Sequence, residues 1–195
     1  MDKQSVISFF DNRASRWDEI SVQKDSVLNK ILDYAGVKTG VKLLDVACGT
    51  GVLFDKYIER GVKNFTAIDI SPEMVKKAQE KYNEIDIVCG DAEEYNFEKH
   101  FDCIIVFNAF PHFVNPQLLF KNLASRLNNG GRLTIAHGAS REDIIKCHSG
   151  DADLVSNILP TAEELADLMK DYLTIDTVIS DCEKYIVSGL KKYYR

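Results

Sequence analysis

The residues whose types and spacing point most directly to chemistry lie in the stretch VKLLDVACGTG, residues 41–51. The apolar run 41–46 has the length and branching of a buried parallel strand. Gly49 and Gly51 allow backbone conformations closed to other residues and leave no side chain between the main chain and a ligand. The amphipathic residues 52–60 predict a helix whose first N–H groups would face whatever lies on the turn. The sequence therefore predicts a cofactor-binding turn between a strand and a helix.

The residues around this turn limit the choice of cofactor. A dinucleotide fingerprint has a third glycine three residues after the second, and Phe54 stands there instead, where it would crowd the turn against a pyrophosphate. The Gly-Lys-Ser/Thr triplet of a phosphate-binding loop is absent from the sequence. The remaining pattern, D-x-A-C-G-T-G, resembles the first motif of class I S-adenosylmethionine-dependent methyltransferases. Residues 43–51 are most similar to the small-molecule branch that includes the ubiquinone/menaquinone-biosynthesis methyltransferases.

The resemblance implies a function and a cofactor. The cofactor would be S-adenosyl-L-methionine, with S-adenosyl-L-homocysteine as product, and the reaction a methyl transfer to a small-molecule acceptor by in-line displacement. In such a reaction the cofactor carries the reactivity, and the protein supplies orientation and dry surroundings. Two alternatives remain open: a non-catalytic module that binds the same ligand, and an NAD-type oxidoreductase. Phe54, at the position of the third glycine, argues against the oxidoreductase.

A second acid follows at the distance at which nucleotide-binding folds place the carboxylate for ribose hydroxyls. Residues 64–70 predict a buried strand that contains Asp69 near its end, and the two oxygens of a carboxylate can accept both hydroxyl protons. The alternative is a chance acid at a strand end. Ser71 and Pro72 then predict the start of a helix.

A third short strand, residues 85–90, precedes Asp91 and Ala92. The family resemblance implies that Asp91 accepts from the exocyclic amine of adenine and that Ala92 lies beside the ring; Asp91 could instead be only a helix cap. The complete set of predicted cofactor-binding residues is Trp17, Asp45, Ala47, Cys48, Gly49, Gly51, Asp69, Ile70, Met74, Asp91, Ala92 and Asn108.

The predicted acceptor side follows strands four and five. Residues 109–113 resemble the family's fourth motif but depart from the N-P-P-Y/F form of methylases that act on amino groups of DNA and protein glutamine. His112 and His137 are the candidate catalytic residues, because an imidazole can remove a proton near neutral pH. We expect His112, His137 and His148, with Cys147, to face one pocket for a polar or thiol acceptor. They could alternatively bind a metal or be separate loop residues, and no metal ligand is assigned.

The order of the predicted elements indicates the fold class. The remaining segments complete the pattern. They are a helix over 21–35, strands 101–108 and 132–137, a helix-ending turn at 128–131, and strands 173–180 and 184–190. Alternating strands and helices closed by a hairpin predict an α/β, doubly wound, mostly parallel seven-stranded sheet with helices on both faces and a C-terminal antiparallel hairpin. The class I methyltransferase core, a Rossmann-like fold, is similar.

Residues 1–195 predict a single domain. The N-terminal segment, residues 1–20, contains F-D-x-x-A-x-x-W-D, which resembles a lid that folds over the cofactor in related methyltransferases. The alternative is a helix that docks its aromatic side chains on the core, and the two interpretations are compatible.

The net charge and the cysteine pattern limit the classes of partner and the cellular compartment that we expect. The net charge of −6 and a pI near 5.3 argue against a general affinity for nucleic acid or an anionic membrane. The five cysteines show no C-x-x-C spacing, which is typical of a reducing compartment. No secretory leader or membrane-length apolar run is recognisable, so we expect a cytoplasmic protein with a small-molecule partner and an oligomeric state that the sequence does not determine.

Overall fold

The computed structural model describes residues 1–147 and 151–192. The strands are β1 (Leu43–Val46), β2 (Thr66–Asp69), β3 (Asp86–Cys89), β4 (Phe101–Phe107), β5 (Leu127–His137), β6 (Leu173–Ser180) and β7 (Tyr185–Lys191). The helices are α1 (Lys3–Asp11), α2 (Trp17–Ile20), α3 (Asp25–Tyr34), α4 (Phe54–Glu59), α5 (Pro72–Lys81), α6 (Pro116–Ser125), α7 (Arg141–Cys147) and α8 (Ala162–Met169). Short 3₁₀ turns lie at Ala14–Arg16, Phe110–His112 and Asp151–Val155.

The strands form one sheet in the order β3-β2-β1-β4-β5-β7-β6. The pairs among β1 to β5 are parallel, whereas β7 pairs antiparallel with both β5 and β6. The predicted α/β fold class, with its C-terminal antiparallel hairpin, is therefore confirmed.

Side-chain alternation along β1 divides the core between the two faces of the sheet. Leu44 and Val46 belong to a cluster that includes the buried residues of α6 and α8. Leu43 belongs to a second cluster with the buried residues of α3 and α4. Because successive strand residues point to opposite faces, a fully buried strand must be covered by helices on both sides.

The helix starts agree with their local sequence signals. The Ser71 hydroxyl accepts from the Met74 N–H at 3.1 Å, and the Asn115 side chain accepts from the Leu118 N–H at 3.1 Å. Thr161 begins α8 with a reciprocal capping box. Such caps satisfy N–H groups that the helix itself leaves without partners.

Three predicted boundaries were wrong. The helix after the glycine turn starts at Phe54 rather than at residue 52, and α3 starts at Asp25 rather than at residue 21. Residues 128–131 do not end α6; they form an irregularity at the start of β5, where the register against β4 shifts. Gly131 fits there because a Cβ would lie only 2.9 Å from the Phe101 carbonyl oxygen.

The sheet order places β1 between β2 and β4, so the chain crosses from one side of β1 to the other. In open α/β sheets the ligand crevice lies at such a point, outside the carboxyl ends of the strands. Across the described ranges, no helix combines the length and apolar character required to cross a bilayer.

Candidate cofactor and acceptor site

A cavity opens at the carboxyl ends of β1, β2, β3 and β4, at the predicted crevice. All but three of the predicted site residues line it: Trp17, Ala47, Cys48, Gly49, Asp69, Ile70, Met74, Asp91, Ala92, Asn108 and His112. Asp45, Gly51 and His137 are absent from its wall. The fold thus brings residues from sequence positions far apart to one place.

Asp69, the last residue of β2, is held by main-chain donors. Its Oδ2 accepts from the Gly49 N–H at 2.8 Å and its Oδ1 from the Ser71 N–H at 2.9 Å. Burial raises the pKa of Asp69 to about 6, the charge of Asp11 adds to that rise, and the two N–H donors oppose it. Each carboxylate oxygen retains lone-pair capacity for a further donor, such as a sugar hydroxyl.

The turn after β1 exposes main chain to the cavity. Ala47 and Gly49 both have φ of 56°, in the left-handed region. A Cβ at Gly49 would lie 3.4 Å from Nε1 of Trp17, so glycine allows close approach of the indole from the N-terminal segment. Gly49 therefore leaves a main-chain surface against which a ligand can pack.

Gly51 has a different role from the predicted one. Phe54 is fully buried and packs edge-on against Phe65 at 4.9 Å and Tyr82 at 5.0 Å, away from the cavity. The expectation that Phe54 crowds the ligand side of the turn was wrong, because its ring fills the core between α4 and the sheet. A Cβ on Gly51 would lie 2.8 Å from that ring, so Gly51 makes room for Phe54 rather than for a ligand.

Asp45 lies beneath the turn and not in the cavity wall. The Tyr57 hydroxyl donates to its Oδ2 at 3.1 Å. Burial raises the pKa of Asp45 to about 8, with the charge of Asp69 adding to the rise and the hydrogen bond from Tyr57 opposing it. We therefore assign Asp45 no contact with a ligand; its side chain binds Tyr57 of α4 instead.

Asp91 begins a turn rather than a helix and lines the cavity, so its contact with adenine stays a prediction. Its Oδ1 accepts from the Glu93 N–H at 2.9 Å, and its Oδ2 pairs with the Lys3 ammonium. The neighbouring main chain is fixed as well, since the Ala92 carbonyl accepts from the Asn122 amide at 2.9 Å.

The N-terminal segment covers the cavity with Phe10 and Trp17, whose rings lie edge to face at 5.4 Å. Polar contacts anchor it. Asp11 accepts from the Ser71 hydroxyl at 2.5 Å, and Asp18 accepts from the Thr50 hydroxyl at 2.5 Å. The covering aromatics and the polar anchors are compatible with the predicted lid.

The contacts of the His112 ring indicate which of its two nitrogens carries the proton. Its Nδ1 lies 2.8 Å from the Val155 carbonyl oxygen and 3.3 Å from the Ser156 hydroxyl. Because a carbonyl only accepts, Nδ1 carries the proton, and the lone pair of the neutral ring belongs to Nε2. Phe10 contacts the ring edge-on, with 4.9 Å between centroids.

Neither His137 nor Cys147 lines the cavity with His112. His137 is 2% exposed and lies edge-on to Tyr185, its partner across the β5–β7 pair, at 5.8 Å. Its strand position points it into the core, so a role as catalytic base has no support from the geometry. Cys147 is exposed at the end of α7, and His148 lies outside the described residues. Within the described part of the chain, no three His, Cys, Asp or Glu side chains are grouped to hold a metal.

Two charged residues of the cavity wall, Lys3 and Glu93, were not predicted. Glu93 stands two residues after Asp91, and its place in the polar run DAEE could have marked it as a second wall residue. Lys3 carries no local signal, because its partners lie about 90 residues away along the chain.

The family model of the methyltransferase domain matches residues 43–131, which run from β1 into β5. A malonyl-[acyl-carrier protein] O-methyltransferase of Ilyobacter polytropus is 31% identical over 142 residues, 70% of this chain and 53% of that protein. A demethylmenaquinone methyltransferase of Paenarthrobacter aurescens is 30% identical over 137 residues, 67% of this chain and 54% of that protein.

The chain thus contains a methyltransferase domain and is similar to S-adenosylmethionine-dependent methyltransferases. The fold agrees: the N-methyltransferase NodS of Bradyrhizobium japonicum, solved with S-adenosyl-L-homocysteine, superposes with a TM-score of 0.76 at 15% identity over 97% of this chain and 100% of that chain. S-adenosylmethionine is the cofactor of this family. The chain spans about half the length of the curated methyltransferases it matches.

Proposed function

We propose that this protein transfers a methyl group from S-adenosylmethionine to a small-molecule acceptor. The observation that carries the proposal is the arrangement of Asp69 and Gly49 at one wall of the cavity, where a buried carboxylate held by two main-chain N–H groups adjoins a turn without a side chain. These groups suit the hydroxyls of a ribose and the polar tail of an amino acid.

The residues that would hold the cofactor follow from their positions around the wall. Asp69 would accept from the ribose hydroxyls, and Asp91 with Ala92 would face the adenine. The main chain of Ala47, Cys48 and Gly49 would contact the amino-acid tail, and Trp17, Ile70, Met74 and Asn108 would complete the wall. When bound, S-adenosylmethionine supplies an electrophilic methyl group, and the surrounding protein provides orientation and dry surroundings.

We also propose that the N-terminal segment acts as a lid. Few of its residues are buried, since Val6 and Ala14 alone reach the core among residues 1–20. Polar anchors at Asp11 and Asp18 hold it in place. A segment with few buried residues can open to admit a ligand at modest free-energy cost.

His112 is the proposed general base. Its Nδ1–H donates to a carbonyl, so Nε2 is the atom that takes a proton from an acceptor O–H, N–H or S–H group. The acceptor is proposed to be a small molecule because its site shares a mostly apolar cavity with the cofactor. We further propose a cytoplasmic location, in keeping with five cysteines that are all thiols.

The test is a methyl-transfer assay with isotopically labelled S-adenosylmethionine and panels of phenols, thiols, amines and quinone precursors. Replacing His112 with alanine should lower kcat by about 10²–10⁴-fold for an acceptor that carries a proton, without weakening cofactor binding. His100→Ala is the control, because His100 is exposed near Thr66, outside the cavity wall.

The outcomes separate the alternatives. Equal kcat in the two histidine variants would remove the base role. Cofactor binding without turnover on any acceptor would instead favour a non-catalytic binding module.

A further inference from the structure

Lys3 of α1 stands at the centre of an acidic group in the cavity wall. Its ammonium contacts the carboxylates of Asp91, of Glu93 at 3.0 Å and of Glu94 at 3.1 Å. Asp91 and Glu93 also line the cavity, at the end proposed for adenine. One cation from the N-terminal segment therefore faces three anions of the loop after β3.

Glu93 is the unusual member of this group. Its side chain is 1% exposed, whereas that of Asp91 is 23% exposed and that of Glu94 is 64% exposed. Its Oε2 makes no directed hydrogen bond with any described residue, so the charge of Lys3 is its compensation. Removing the cation from a buried ion pair is strongly destabilising, because it leaves the carboxylate uncompensated.

The other oxygen of Glu93 reaches the acceptor side. Its Oε1 accepts from the Asn115 N–H at 2.6 Å, at the N-terminus of α6. Asn115 ends the acceptor-side loop, residues 108–115, which carries His112. Glu93 thus joins the adenine end of the cavity to the loop that bears the proposed base.

We propose that Lys3 is a positioning residue for both ends of the cavity and that it acts through Glu93. The ammonium on α1 compensates the buried Glu93 carboxylate, which in turn fixes the start of α6 and the acceptor-side loop. Docking of the N-terminal segment and ordering of the acceptor side are therefore one event. The functional consequence rests on the proposed methyltransferase activity, whereas the structural coupling does not.

The experiment compares hydrogen exchange in ligand-free protein for four variants. Lys3→Met removes the cation, Lys3→Arg keeps it, and the double variant Lys3→Met/Glu93→Gln removes both charges while an amide oxygen can still accept from Asn115. Lys30→Met is the matched control, because this substitution removes an exposed ion pair with Glu183 elsewhere on the surface.

We expect amide exchange across residues 108–118 to accelerate about tenfold in Lys3→Met and to stay near the wild-type rate in Lys3→Arg and Lys30→Met. The double variant should restore slow exchange, because no buried charge then lacks a counterion. Trypsin cleavage at Arg13 and Arg16 should increase in Lys3→Met, as the N-terminal segment is released. If Lys3→Met folds poorly while the double variant folds normally, that difference supports the same coupling.

Two results would overturn the proposal: exchange in Lys3→Met equal to that in Lys30→Met, or a double variant no slower than Lys3→Met. Calorimetry with S-adenosylhomocysteine adds the functional arm, with binding about tenfold weaker in Lys3→Met and near normal in Lys3→Arg. Absence of binding to the wild-type protein would contradict the proposed function, while the exchange data would still decide the coupling.

Discussion

At the scale of single residues, the two acids at the ends of β1 and β2, Asp45 and Asp69, have different surroundings. Asp69 meets main-chain donors at the cavity wall, whereas Asp45 lies under the turn with the Tyr57 hydroxyl as its donor. Burial raises the pKa of both, to about 6 for Asp69 and to about 8 for Asp45. The acid exposed to the ligand is thus the more readily ionised of the two, as a hydroxyl-accepting role requires.

The raised pKa of Asp45 predicts a pH dependence of stability. An acid that holds its proton more tightly when folded than when unfolded contributes stability at low pH that is lost as the pH rises through the folded pKa. Between the unfolded value of 3.8 and the folded value of about 8, the unfolding free energy should fall relative to Asp45→Asn, by up to about 1.4 kcal/mol per pH unit.

Urea unfolding of the wild-type protein and of Asp45→Asn between pH 5 and 8 measures this difference. The asparagine can still accept from Tyr57, so the comparison isolates the ionisation. Parallel pH profiles for the two proteins would contradict the assignment of a raised pKa to Asp45.

At the scale of elements, the unit formed by β1, the glycine turn and α4 contributes part of the cavity wall. Its conformation depends on packing against the core on the side away from the cavity. Gly51, with φ of 88°, lies against the Phe54 ring in the core, while Gly49 lies against Trp17 on the cavity side. The two glycines of one motif therefore serve opposite faces of the turn. Local sequence shows that both are glycines but not which face each one serves.

Gly51→Ala should destabilise the protein more than an equivalent change elsewhere. Gly40 provides the control, because it has the same φ of 88° but no atom within 4 Å of its Cβ position. Both alanines carry the backbone strain, and only Gly51→Ala adds a clash with a buried ring, worth about 1–3 kcal/mol. Thermal or urea unfolding measures the difference, and adding Phe54→Leu should recover part of it; equal losses in the two alanine variants would contradict this account of Gly51.

Helix starts are predictable from local sequence, whereas the environment of a strand residue depends on which strands pair. The helix start at Ser71 was predicted correctly because a cap is a local pattern, and the caps at Asn115 and Thr161 are local patterns of the same kind. His137 was misplaced because its environment depends on which strand pairs with β5; only the observed register shows that it faces Tyr185. The start of β5 was missed for a related reason, since a glycine pair indicates a turn whether it ends a helix or interrupts a strand.

At the scale of the whole molecule, the site combines elements that no sequence window connects. Lys3 and Glu93 meet only because α1 folds back over the carboxyl end of β3. A repeating pattern of strands and helices predicts the sheet and the place of the crevice, but not how the N-terminal segment docks upon it. The fold was therefore predictable, and the contact of Lys3 with the loop after β3 was not.

The central claim is that the cavity binds S-adenosylmethionine, and isothermal titration calorimetry with S-adenosylhomocysteine tests it most directly. We predict one site per chain, binding weakened at least tenfold by Asp69→Asn and unchanged by Asp86→Asn, whose carboxylate is exposed and pairs with Lys99. NAD⁺ should give no heat. A folded wild-type protein that gives no heat with S-adenosylhomocysteine, or that binds NAD⁺ instead, would contradict the account.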